Sequence, residues 1–136
     1  MEIKFLPRDI HPPGPQITLC TSEDEYLEVM RHFDVKYPDR WILQGKDATR
    51  HTLECDSGEL ACVVCIDAEK AQARPLADVC GLLVHEAVHV WQSHAEDIGE
   101  RHPGDEQEAY AIGMIAQALI AEWLDRVKTP NSSPTP

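Results

Sequence analysis

Apolar positions along this chain alternate between a period of two and a helical period, and the switches mark its elements. Gln16–Cys20 (Gln-Ile-Thr-Leu-Cys) has the alternation and β-branching of a strand. Thr21 or Ser22 then reads as an N-cap, and Glu25 stands three residues after Ser22, a capping-box spacing. Tyr26, Leu27, Met30 and Phe33 follow at helical spacing, and that helix should end near Asp34. Tyr37-Pro38-Asp39 and Gly45-Lys46-Asp47 are turns, with Trp41 and Ile42 between them as anchors to the core. Residues 49–55 and 60–67 read as strands joined by Asp56-Ser57-Gly58-Glu59, a hairpin signal. The second is apolar on both faces and belongs inside a sheet, and the first belongs nearer an edge.

Pro75 suits the first turn of a helix running from Leu76 to about Ala95. Val79, Leu82, Leu83, Val84, Val88, Val90 and Trp91 surround most of its circumference, the pattern of a buried helix. Pro103-Gly104-Asp105 is a turn, and a last helix over 106–128 shows Ala109, Ile112, Ile115, Ala116, Leu119, Ile120, Trp123 and Leu124 on one stripe before Pro130 stops it. Residues 1–15 carry prolines at 7, 12, 13 and 15 and read as an extended lead-in with one short strand at most. Residues 129–136 contain only Pro, Ser, Thr and Asn and are expected to be disordered.

Composition narrows the class. A chain of 136 residues, 43% hydrophobic, closes one core, so a single domain over 1–128 is expected. A net charge of −12 argues against sequence-independent nucleic-acid binding and against an anionic membrane surface. The N-terminus lacks a secretory pattern, and no run approaches the roughly 18 apolar residues of a membrane span. The odd count of 5 cysteines, two of them in an apolar run, suits a cytoplasmic protein with buried thiols. Cys62-Val-Val-Cys65 has metal-knuckle spacing, but residues three apart in a strand face opposite sides, so unreactive core thiols are expected there and at Cys20 and Cys80.

The chemistry lies in the middle of the 76–95 helix, at His85-Glu86-Ala87-Val88-His89. Residues four apart share a helix face, so both imidazoles can grip one metal ion with Glu86 beside it as general base. Burying these three groups without polar partners would be costly, and a metal is such a partner. A catalytic zinc takes three protein ligands and leaves the fourth position to water. A metzincin third histidine is excluded, because position 92 is Gln and position 95 is Ala. The remaining source is a carboxylate at the start of the last helix, Asp105-Glu106-Gln107-Glu108-Ala109-Tyr110. Glu106 and Glu108 point about 200° apart, so only one can face the metal. Ala109 and Tyr110 share the face of Glu106, which favours Glu106 and leaves Glu108 as its rival.

His85-Glu86-x-x-His89 followed by Glu106-x-x-Ala109-Tyr110 resembles the gluzincins, in which a glutamate on a second helix completes the zinc site. The segment is similar to those of CAAX-processing membrane metalloproteases, of small regulatory metalloproteases that cleave repressors, and of uncharacterised metallopeptidase-like proteins of phages and prophages. The likeness covers roughly residues 82–116. It implies His85, His89 and Glu106 as zinc ligands, Glu86 as base, and Ala109 as the small residue that lets the two helices approach. Many relatives have Asp or Asn at position 110; here Tyr110 would orient a ligand or hydrogen-bond the tetrahedral intermediate.

The expected fold is therefore α+β, a minimal zincin-like domain whose short, mostly antiparallel sheet packs on the buried motif helix and the C-terminal helix. The expected function is zinc-dependent hydrolysis of a peptide or protein, in which zinc lowers the pKa of a water and Glu86 takes its proton. Tyr110, His94 and His102 are oxyanion-donor candidates, and an edge strand near 49–55 would receive substrate as an added strand. His32 and His51 read as surface residues, Trp91 and Trp123 as core. The competing expectation is a binding module of the same fold with a structural zinc. The acid at position 86 speaks for catalysis, and the small size of the chain speaks for binding.

Overall fold

The computed structural model describes residues 3–6 and 14–128. The expectations for the proline-rich stretch 7–13 and for the tail 129–136 lie outside the described residues. The elements are β1 (Gln16–Cys20), α1 (Glu23–His32), β2 (Ala48–Glu54), β3 (Leu60–Ile66), α2 (Ala68–Gln72), α3 (Leu76–Asp97) and α4 (Asp105–Lys128). The architecture is α+β, with a three-stranded sheet in the order β1-β3-β2.

Strand β3 is central and buried along its whole length, which is why it is apolar on both faces. Its pairing with β2 is antiparallel across a short connection in which Gly58 takes φ 84°, a conformation open to glycine. Its pairing with β1 is parallel, Gln16 opposite Ala61 through Cys20 opposite Cys65. The sheet is thus half parallel, a correction to the mostly antiparallel one expected. A hairpin signal reveals only the neighbour in sequence; the β1–β3 pair is made across α1 and β2 and leaves no local mark.

Helix α1 covers one sheet face, where Tyr26, Val29 and Met30 meet Cys20, Val63 and Cys65. Helices α3 and α4 cover the other, where Leu83, Val90, Trp91, Leu119 and Trp123 meet Ile17, Leu19, Cys62 and Val64. Cys62 and Cys65 do face opposite sides, and burial pushes the Cys62 thiol up to about 11 and Cys65 higher still, so neither is an available thiolate.

The capping box at α1 forms in altered shape. Ser22 Oγ accepts from Glu25 N at 3.2 Å, while Glu25 reaches past Ser22 to accept from the backbone N–H and hydroxyl of Thr21. Helix α2, not foreseen, starts after Asp67 because the Asp67 side chain accepts from the backbone N–H groups of Glu69 and Lys70. Pro75 stands at the N-cap of α3, one residue before the first-turn position expected for it.

Helix α3 is not buried all round. Val84 is 41% exposed and Leu76 55%, so part of its apolar surface faces outward. On α4, Ile115, Ala116, Leu119 and Trp123 are buried as the stripe requires, but Ala109 and Leu124 are exposed. Ala109 therefore plays no part in the close approach of the two helices; Ala111 lies in the buried seam instead.

Candidate metal centre

The motif residues lie on one flank of α3, over an open cleft of about 500 Å³. His85, Glu86 and His89 form one wall, and the loop before β2 together with Ala48, Thr49 and Arg50 forms the other. Successive turns of α3 bring the two imidazoles together: ring centroids lie 4.7 Å apart and Nε2 faces Nε2 at 3.2 Å. Two nitrogens bound to one tetrahedral zinc at about 2.0–2.1 Å lie about 3.3–3.4 Å apart, so the pair is already set at the spacing of a shared metal. Without a cation or a shared proton between them, two imidazole lone pairs at that distance repel.

His89 Nδ1 donates to Gln92 Oε1 at 3.1 Å, which keeps the lone pair on Nε2. Ligand histidines are commonly oriented by such a partner on the second nitrogen. The sequence reading used position 92 only to exclude a third histidine; its place three residues after His89, one turn on, was the available signal.

Glu86 is 6% exposed and its Oε2 has no hydrogen-bond partner among the described residues. The expectation that all three motif side chains are buried holds for Glu86 alone: His89 is half-buried and His85 is exposed. Arg50, on the opposite wall, donates from Nη1 to the His89 carbonyl at 2.8 Å and keeps a buried Nε without a partner. Nothing in the sequence singled it out, because only strand pairing carries β2 beside α3.

The other expected site residues stand elsewhere. Trp91 donates from Nε1 to Glu108 at 2.9 Å. Trp91 points about 200° away from His89 around the helix. The first turn of α4 therefore docks on the flank of α3 opposite the histidines. Glu106 is exposed there and lines no part of the cleft, and Tyr110 is 69% exposed. His94 is buried against Trp91 and His102 is exposed, both away from the cleft. Among the described residues no group of three or more His, Cys, Asp or Glu side chains is gathered to hold a metal ion. This structure pairs His85 with His89, places Glu86 on the same cleft wall, and leaves Glu106, Glu108 and Tyr110 apart from them. His51, expected at the surface, is half-buried, with Nε2 at 2.9 Å from the Trp41 carbonyl and its ring against Tyr26.

The donor set fits a metal: two imidazole nitrogens 3.2 Å apart and a buried carboxylate on the same cleft wall. No helix among the described residues is long and apolar enough to cross a membrane. Comparison with known protein families, with curated proteins and with solved structures finds no match for this chain.

Proposed function

We propose that this chain is a zinc-dependent metallopeptidase acting on a peptide or protein, with His85 and His89 as metal ligands and Glu86 as general base. The observation that carries the reading is a pair of converging imidazole nitrogens sharing a cleft with a buried carboxylate oxygen that has no hydrogen-bond partner among the described residues. Bound zinc supplies Lewis acidity, polarising the substrate carbonyl and acidifying the attacking water. Glu86 would take the proton of that water and return it to the amine nitrogen as the peptide bond breaks.

Arg50 brings a positive charge to the cleft wall, where a carbonyl oxygen gains charge. It fills the donor place first considered for Tyr110, His94 and His102. Strand β2 is a sheet edge, and no backbone hydrogen bond joins it to any segment other than β3 among the described residues. An extended substrate adds to that edge and passes the cleft that β2 borders. For Glu106 to ligate and Tyr110 to donate, the first turn of α4 would have to leave its contact with Trp91.

One observation favours a second reading, a zinc-binding interaction module without catalysis: neither Glu106 nor Glu108 of the α4 first turn lines the cleft that holds the histidines. Metal content and hydrolysis separate the two. Purified protein is expected to carry about one zinc per chain, lost in His89→Ala. Glu86→Gln is expected to keep the zinc while hydrolysis of a peptide library drops by about 10²–10⁴-fold. Hydrolysis retained in Glu86→Gln removes Glu86 as base, and zinc binding with no hydrolysis by the wild type leaves the module.

A further inference from the structure

The cleft itself holds a carboxylate that the motif does not announce. Among the described residues lining it, Asp47 carries the one carboxylate or imidazole besides those of His85, Glu86 and His89. Asp47 also borders the adjoining depression of about 320 Å³, where Arg74 stands, and there its Oδ2 lies 3.2 Å from Arg74 Nη1. It sits on the divide between two depressions, its carboxylate paired on one side and the imidazoles on the other.

We propose that Asp47 is the third protein ligand of the metal, held in reserve by Arg74 and exchanged from the guanidinium to the metal when the ion binds. The proposal rests on the metal reading of His85 and His89.

Three observations support the exchange. First, the pair to be broken is weak: the Arg74 side chain is 35% exposed and that of Asp47 67%, a setting in which solvent takes back most of the attraction. Second, Arg74 keeps another acid on release, since its Nη2 already lies 3.8 Å from Asp78. Third, the segment carrying Asp47 is an exposed turn. Residues 43–47 are all exposed, so no packed neighbour holds the Asp47 side chain in place just before β2 begins. The acids of α4 have no comparable route, because they lie on the far flank of α3.

The arrangement makes Arg74 a competitor of the metal. A site whose binding-competent state is only partly populated binds with an affinity reduced by that fraction. Removing Arg74 should therefore tighten metal binding, whereas removing Asp47 should weaken it. Opposite effects from the two halves of one ion pair do not arise if the pair is only structural.

The test is a zinc titration of metal-stripped protein against a chromophoric chelator. It compares the wild type with Asp47→Ala, Arg74→Ala, Arg74→Gln, Glu106→Ala, Glu108→Ala and His89→Ala, with thermal unfolding of each metal-free variant as a check on folding. The expected result is a loss of about tenfold or more in affinity for Asp47→Ala, tighter binding for both Arg74 variants, and no change for Glu106→Ala. Unchanged affinity in Asp47→Ala and both Arg74 variants, with binding still lost in His89→Ala, overturns the exchange and leaves the histidine site standing. A loss confined to Glu106→Ala or Glu108→Ala overturns it in favour of an α4 ligand. No uptake by the wild type overturns this proposal and the metal reading together.

Discussion

At His89 the ring is held from both sides: Nδ1 donates to Gln92 at 3.1 Å, and Nε2 meets the Nε2 of His85 at 3.2 Å. His85 has no partner on Nδ1 among the described residues, so one ring is oriented in advance and the other is oriented by its neighbour. Removing the orienting amide frees the ring to rotate and to change tautomer. Gln92→Ala is accordingly expected to lower zinc affinity about 10–100-fold, read by chelator competition. Gln92→Glu is expected to retain binding, since a carboxylate accepts the same hydrogen bond. An unchanged affinity in Gln92→Ala would show that Gln92 merely covers the ring. The motif residues are legible in the sequence because residues four apart on a helix meet whatever the rest of the chain does. Arg50 and Asp47 are not, because their nearness to His89 depends on where β2 is carried by β3.

Among the elements, α3 holds the centre. Its inner face packs on both the sheet and α4, and Leu83 there is fully buried. Leu83 lies two residues before His85, so its packing sets the height and rotation of the motif. Leu83→Ala is expected to destabilise the fold by about 2–5 kcal/mol, measured by denaturant unfolding of the metal-free protein. A cost well below that range would mean that the helix collapses into the space and shifts the histidines with it. The apolar count on α3 suggested burial on all sides, yet Leu76 and Val84 face outward. Hydrophobic period tells how wide an apolar surface is, not how much of it neighbours cover. The hairpin β2–β3 and the central place of β3 were readable because each is written within a short stretch of chain.

Across the whole molecule, the two sheet faces are tied together near the C-terminal end of α4. Arg126 donates to Glu122, to Glu25 at the start of α1, and to the Leu19 carbonyl of β1, while Lys4 pairs with Glu122 at 2.8 Å. Burial pushes the Glu122 carboxyl up, but its hydrogen bonds to Lys4 and Arg126 outweigh that and hold it below the usual 4.5. A carboxyl depressed in the folded state contributes stability above its unfolded pKa, and that contribution is lost as pH falls through the folded one. Acidification also relaxes the self-repulsion of a chain with net charge −12, which works the other way. The comparison that isolates the clamp is therefore wild type against Glu122→Gln. Their stabilities are expected to converge as pH drops from about 6 to 3, followed by unfolding midpoint. A gap between them that does not change with pH would show that Glu122 contributes through packing alone.

The sequence by itself determined what depends on neighbours along the chain: most of the elements, the N-cap at Ser22, the central strand, and the facing of His85, Glu86 and His89 on one helix. Short-range spacing and backbone geometry are enough for each of these. Only the tertiary structure decided the parallel β1–β3 pair, the flank of α3 on which α4 docks, and the residues that close the cleft over the histidines. Those depend on the rotation of one helix against another, fixed here by contacts such as Trp91–Glu108 between residues that no periodicity links. That rotation separates an acid that stands near the motif in sequence from one that stands near it in space.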